Sequence, residues 1–555
     1  MSSLWNLRPD FRALILICLS TGALAQSGAA RIRQLFEQQR WHEIISSANP
    51  ADSPDIAFYY GSAQARLEHW KEATDAFQIG RRLAPRDPRF PTELAGVAFK
   101  QKHYPEAENW LHRVLSLAPH DAYANDFLAT IFFLEGNLEA ALKYWNRIGK
   151  PYIEEVSSDP QPRLDPALLD RALAFSPASV LKREDLRTSE ARIAQFNIFP
   201  GSHFELQARD SGKFDLVFRG FERDGCGGKW PCLITVFGQA PAQTLRFDYY
   251  NLGRRAVNLS SLFRWDGEKR RISAFLESPL ARQPKWHFRA GIDLRNENWA
   301  LRPSFSGPAS LLGALNLKRQ SVGFDFTDVM SGRWQWSAQT EFSHRSFHDV
   351  LTGTALTPPL LEDGPQLKQT LGVHADLLRI PGRRLTIASS ASLSLARLWA
   401  DPSRTFSQLQ AGSFTLWFPQ HAGNKYEIRH GLRAGTSFGA PPFDELFTLG
   451  VLGDSGLLMR AHIATRDGKK GSAPLGGDYL VSNLDAARNF SPIPLLKIKI
   501  GPFLDTGWSN NLLAANTWLW DTGIQARFQA LGFEVALSYG RDLRSGNNAF
   551  VARSP

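Results

Sequence analysis

From residue 225 to the end, the chain alternates. In KWHFRAGIDLR, Trp286, Phe288, Ala290, Ile292 and Leu294 are interleaved with His287, Arg289, Asp293 and Arg295. RWQWSAQTEF repeats the pattern with Trp334, Trp336, Ala338 and Phe342 against Gln335, Ser337, Gln339 and Glu341. Leu496, Ile498 and Ile500 are split by Lys497 and Lys499, and Phe533, Val535, Leu537 and Tyr539 follow the same rule. A period of two gives a strand one apolar and one polar face. Such strands either lay the apolar face on a soluble core or turn it to lipid around a polar lumen. At roughly ten residues per strand plus connections, residues 225–555 accommodate about sixteen antiparallel strands, and closing them into a barrel would leave no unpaired edge in lipid.

The N-terminus favours the lipid alternative. Arg8 and Arg12 precede an apolar run from Ala13 to Leu19, and Ala23-Leu24-Ala25 supplies small residues for cleavage. This is the pattern of a secretory signal peptide over residues 1–25, with a mature chain starting near Gln26. Ile17 is too bulky to precede a lipidated Cys18. No later apolar run reaches the eighteen or so residues of a spanning helix, so the exported chain is expected to be secreted, periplasmic, or an outer-membrane barrel. The 64 Lys+Arg against 54 Asp+Glu give a net charge of +10. The excess is scattered, which argues against a nucleic-acid patch and suits an anionic lipid surface. Plentiful aromatics (37 Phe, 16 Trp and 11 Tyr) match interfacial girdles. Beyond the leader only Cys226 and Cys232 remain, either as a disulfide closing CGGKWPC or as two free thiols. Nothing near them has metal-site spacing, and no cofactor motif appears.

Residues 30–150 carry a different period. Ala73, Ala107 and Ala141 lie 34 residues apart, as do Pro85 and Pro119. Trp70, Tyr104 and Leu138 precede the alanines by three positions; Phe77, Leu111 and Trp145 follow by four; Gly61, Ala95 and Ala129 precede by twelve. That period belongs to tetratricopeptide repeats, in which small residues let two antiparallel helices approach and the proline ends the second. The partial unit RQLFEQQRWHEIISSANP reads as a first repeat or cap. Such an arm binds a protein partner on its concave face or serves as a rigid spacer.

Between arm and alternating region, residues 166–224 read as a small α+β unit after the linker-like YIEEVSSDPQPRLDP. Ala172–Phe175 is expected as a strand, Ser179–Phe196 as a helix, and HFELQA and FDLVFRGF as two strands around Asp210-Ser-Gly212. AFSPASVLKREDL, ARIAQFNIFPGSHFEL and FDLVFRGFERD resemble a polypeptide-transport-associated (POTRA) domain; the alternative is a generic layer of the same kind.

A POTRA-like unit before a barrel of this length resembles the outer-membrane assembly and translocation superfamily, the bacterial surface antigen family. RFDYYNLGRRAVNLSSLFRWDGEKRRISAFLESPL is similar to its entry hairpin. GPFLDTGW matches the late-strand Phe-x-Asp-x-Gly through Phe503, Asp505 and Gly507. The resemblance implies that a loop folds into the lumen and locks an arginine onto that aspartate. The candidate loop LGVLGDSGLLMRAHIATRDG offers Arg460, followed by Ala461 and His462 where the family has glycine and an aromatic. Arg466 and Arg488 are the runners-up. The alternative is a solvated Arg460 and a merely lumen-facing Asp505. The chain's end, NNAFVARSP, departs from the terminal aromatic usual in such barrels.

Two strings imitate hydrolases. GDSG at Gly453–Gly456 has no upstream histidine segment of the usual type, and GTSFG at Gly435–Gly439 lacks the helix its elbow requires. No enzyme is expected. The leading reading is outer-membrane protein assembly or polypeptide translocation, with unfolded polypeptide clients and a periplasmic partner on the repeats. The rival is an export pore for polysaccharide or lipid with the arm as scaffold, and a third reading is a secreted soluble β protein.

Overall fold

The computed structural model describes residues 28–553 apart from 227–231, 234–235, 237–239, 241–242, 422, 452–456, 494–495, 517 and 531–532. The expected leader and the GDSG string lie outside the described residues. The chain divides into two compact units, residues 1–150 and 151–555.

The first unit is helical: α1 (28–37), α2 (Trp41–Ser47), α3 (Pro54–Arg66), α4 (Trp70–Leu83), α5 (Arg89–Lys100), α6 (Tyr104–Leu117), α7 (Ala122–Leu134) and α8 (Leu138–Trp145). Consecutive helices pack as hairpins. The 34-residue set Trp70, Tyr104 and Leu138 supplies the first residues of α4, α6 and α8. Ala73, Ala107 and Ala141 are fully buried one turn later, and Ala95 and Ala129 are buried on the preceding helices. A Cβ on Gly61 would stand 2.7 Å from the buried Phe77 ring, so this position must be glycine for α3 to lie against α4. Pro85 and Pro119 each fall two residues beyond a helix end, where a missing N–H breaks nothing. Ser53, Asp121 and Asn137 cap α3, α7 and α8 by accepting a backbone N–H three residues on.

The second unit opens with β1 (Tyr152–Ser158), α9 (Pro166–Ala172), β2 (Ser179–Val180), α10 (Arg183–Gln195), β3 (His203–Ala208) and β4 (Phe214–Arg219). The sheet order is β2-β1-β4-β3, with β1 parallel to β4 and the other pairs antiparallel. Two expectations are corrected. The α+β layer begins at the supposed linker rather than at residue 166. YIEEVSS has only Ile153 and Val156 as interior apolar residues, and it becomes a strand because β4 pairs with it. Ala172 ends a helix and Leu173–Phe175 form no strand, while Ser179-Val180 is a short strand in front of the expected helix.

The wall follows: β5 (Thr244–Leu252), β6 (Val257–Trp265), β7 (Lys269–Pro279), β8 (Trp286–Leu301), β9 (Gly313–Val329), β10 (Trp334–Leu351), β11 (Gly364–Ile380), β12 (Leu385–Leu398), β13 (Arg404–Trp417) and β14 (Tyr426–Gly439). A long connection holds the two-residue strands β15 (Phe447–Thr448), β16 (Thr465–Arg466) and β17 (Lys469–Lys470). The wall resumes with β18 (Leu475–Ile493), β19 (Leu496–Asn511), β20 (Leu519–Ala530), β21 (Phe533–Asp542) and β22 (Asn548–Arg553). Antiparallel register runs from β5 to β14, across to β18, and on to β22. The strand order is that of a barrel, which puts β22 next to β5; no residue register joins those two among the described residues.

The wall inverts the burial rule of water-soluble proteins. Leu371, Ile524, Val322, Leu395 and Phe550 are more than half exposed on its outer face. Arg345, Lys269, Asp505 and Asp521 are buried on the inner one. An apolar exterior of this extent is not tolerated in water and is what strands facing hydrocarbon present. Short turns at one end meet the α+β layer. There Arg187 of α10 donates to Asp376 at 2.6 Å and to the carbonyl of Gly332 at 2.9 Å, and Asn258 donates to the carbonyl of Phe196.

Candidate functional site: the connection that crosses the lumen

After β14, residues 440–451 and 457–474 lie inside the wall, held at three places by charges that have left water. The first hold is acidic. Asp444 pairs with Arg319 of β9 and Arg345 of β10, both at 2.8 Å. Glu445 accepts from Lys368 (2.8 Å) and Gln366 (2.9 Å) of β11 and from Arg319 (3.1 Å), and its carbonyl accepts from Gln408 of β13. Burial works against the Glu445 charge, but Lys368, Arg319 and Arg345 outweigh it and hold the carboxyl well below its usual range. Phe443 packs edge-on to Trp299 at 4.9 Å, in an apolar cluster with Leu301, Leu315 and Leu317.

The second hold is the expected lock. The Arg460 guanidinium forks onto Asp505, with Nε to Oδ2 at 2.8 Å and Nη2 to Oδ1 at 2.6 Å. Its Nη1 donates to Asp485 of β18 at 2.5 Å, and its backbone N–H adds a bond to Asp505 at 3.1 Å. Asn483 of β18 donates to both Asp505 and the carbonyl of Leu458. The Phe503 ring lies 3.7 Å beneath the guanidinium carbon, so cation–π attraction adds to the bidentate pair. A Cβ on Gly507 would come within 2.8 Å of the Met459 sulfur and push that side chain aside. Removing water strengthens each contact while raising the cost of losing one partner.

The tip continues past Arg460 along a rung of carboxylates. Asp505, Asp521 and Asp542 stand opposite one another in register on β19, β20 and β21. Like charges facing across strands repel, and the loop answers them in order. The N–H of Ala461 donates to Asp521 at 2.7 Å. His462 places Nδ1 3.1 Å from Asp521 and Nε2 3.8 Å from Asp542. A Cβ on Gly540 would press on the Arg460 carbonyl at 3.1 Å, so β21 gives the tip its room. Ala461 and His462 thus both meet the rung of carboxylates.

The third hold is on β8 and its neighbour. Lys470 reaches Glu297 at 3.3 Å, where Lys269 also pairs at 2.9 Å, and Thr465 donates to Glu268.

Of the expected site residues, Arg460, Asp505, Phe503 and Gly507 come together. Arg466 pairs instead with Asp467, and Arg488 lies over Phe490. Cys226 and Cys232 are joined as a disulfide with Cα atoms 5.0 Å apart. Ser437 of GTSFG sits inside β14, accepting from Gln408, with no strand-to-helix elbow. The sequence reading missed Asp485, Asp521, Asp542, Asp444 and Glu445. One signal was visible: Asp505-Thr-Gly507 recurs as Asp521-Thr-Gly523, one copy on each of two paired strands.

No family model and no curated protein matches the chain. Among solved structures it is similar to BamA from Haemophilus ducreyi lacking POTRA domains 1–3, at 10% identity and TM-score 0.41, covering 73% of this chain and 84% of that one. It is similar to CdiB from Escherichia coli at 11% identity and TM-score 0.48, covering 73% and 75%. It is also similar to CdiB from Acinetobacter baumannii at 12% identity and TM-score 0.43, covering 72% of each. At such scores and identities the likeness carries no functional weight.

Proposed function

We propose that the chain is an outer-membrane barrel of about sixteen strands, of the assembly and translocation superfamily, that inserts or translocates polypeptides without catalysis. The observation that carries this reading is the charged strap of residues 440–451 and 457–474, bound to the inner wall on three sides beneath an apolar exterior. A lumen crossed in this way is a poor open channel, and the wall surface and strand edges become the working parts. The α+β layer acts as a POTRA domain, whose edge strand β3 takes up extended clients by strand addition. The helices of residues 30–150 act as tetratricopeptide repeats in the periplasm and recruit a protein partner.

A second reading is favoured by one feature, a cavity of about 400 Å³ on the wall lined by Gln335, Ser337, Ser390, Ser392, Gln410 and Arg433. This lining, which mixes those polar groups with Trp336 and Tyr479, suits an export pore for polysaccharide, with the repeats as scaffold. Conductance of the purified protein in planar bilayers, with and without residues 28–150, separates the two. Small conductance that rises in Asp444→Asn/Glu445→Gln supports the strapped barrel. A large, steady conductance in the unaltered protein overturns it in favour of the pore.

A further inference from the structure

The rung Asp505, Asp521, Asp542 places three carboxylates on adjacent strands, and Asp505 and Asp521 are fully buried. Arg460 directs its guanidinium bonds to Asp505 and Asp485, at the near end of the rung. At the far end, among the described residues, the loop tip presents His462. Its two ring nitrogens each face a different carboxylate, Nδ1 toward Asp521 and Nε2 toward Asp542. A neutral imidazole has one N–H and one lone pair, so in this seat a neutral ring would turn its lone pair onto a carboxylate. Only the imidazolium donates to Asp521 while also turning positive charge toward Asp542, 3.8 Å away.

We propose that His462 is a proton-dependent second clamp, which in its charged form ties the loop tip to β20 and β21 and on losing its proton lets the tip lift while Arg460 stays bound.

The groups facing the ring are Asp521 from β20, Asp542 from β21, Asp505 from β19 and Arg460 from its own loop. Asp542 is itself held by the N–H of Arg544 and the hydroxyl of Ser545 in the β21–β22 turn. Burial disfavours the charged ring, but the Asp521 hydrogen bond and the charges of Asp521, Asp542 and Asp505 prevail, leaving the His462 pKa above its usual value. A raised folded-state pKa fixes the sign. The clamp's contribution is complete below the pKa of a free histidine, about 6.5, and is lost as pH climbs through the elevated value.

The test is amide hydrogen exchange of the full-length protein in lipid vesicles, corrected for intrinsic rate and read at Ala461, whose N–H donates to Asp521. Protection is expected to fall roughly tenfold between pH 6 and pH 9. His462→Gln should remove that step, and His462→Arg should keep protection at pH 9. A flat wild-type profile, or a step that persists in His462→Gln, overturns the clamp. Should the variants fail to give the heat-modifiable folded band, C2-proton exchange of His462 in the unaltered protein decides. A titration midpoint above that of free histidine supports the clamp, and one at or below it refutes it.

Discussion

The helical arm and the wall obey opposite burial rules. In the arm, Ala73, Phe77, Phe90, Leu111 and Leu128 are fully buried, and most charges lie outside, buried Glu108 being an exception; Arg89, for example, bridges Asp55 and Asp87 at the surface. In the wall, Arg345 and Asp505 are the inaccessible residues, while Leu371 and Ile524 point outward. Both regions are hydrophobic-driven, but each sorts its side chains for a different solvent. Water demands that an apolar stripe be hidden; hydrocarbon demands that every polar group find a partner inside.

The contrast is sharpest at the lock. Arg460→Ala or Asp505→Ala should each cost about 3–5 kcal/mol of loop seating, because the survivor is left buried and unpaired. The double variant should be little worse than either, since both changes break one contact. Protease sensitivity of residues 440–474 reads the effect. Full additivity would mean that the two residues are not coupled.

A charge placed outside tests the comparison directly. Ile524→Arg should cost about 2–4 kcal/mol if the outer face meets the middle of a bilayer, seen as a lower folding midpoint in vesicles. Leu83→Arg, on the exposed last turn of α4, should change the arm by no more than about 0.5 kcal/mol. Equal effects at the two sites would dissolve the distinction between the solvents.

Within the arm, Gly61→Leu should cost about 1–3 kcal/mol by driving a side chain into Phe77, lowering the melting of the helical circular-dichroism signal and leaving the wall's heat-modifiable band in place. A pH-dependent effect in the arm concerns Glu108 on α6. Burial, then the nearby Glu135, push its carboxyl up to about 8. An acid with a raised folded pKa binds protons that the unfolded chain has released, so its contribution weakens as pH rises from about 4.5 toward 8. The helical melting temperature should therefore fall between pH 5 and pH 8.5, and Glu108→Gln should flatten that dependence. A profile unchanged by the substitution assigns it to another group.

What was legible in the sequence follows the same division. Period two and period 34 are local, and they mark the wall and the arm. The lock was half legible, because Phe503-x-Asp505-x-Gly507 is a compact string, but Asp485 and Asp542 are meaningful only through strand register. The anchor at Asp444 and Glu445 depends on Arg319 and Arg345, about a hundred residues away along the chain, and nothing in PPFDE announces partners at that range. β1 was misread because its apolar content is low and a neighbouring strand, rather than its own pattern, makes it extended.

The strap also sets an order of events. Its acidic head finds cations on β9, β10 and β11, which precede it in the chain. Its tip needs aspartates on β19, β20 and β21, which come afterwards. The head can dock as soon as the earlier staves stand, whereas Arg460 and His462 must wait for the last hairpins. A chain truncated before β20 would therefore keep a half-fastened strap, and completion of the cylinder would be registered electrically at its centre.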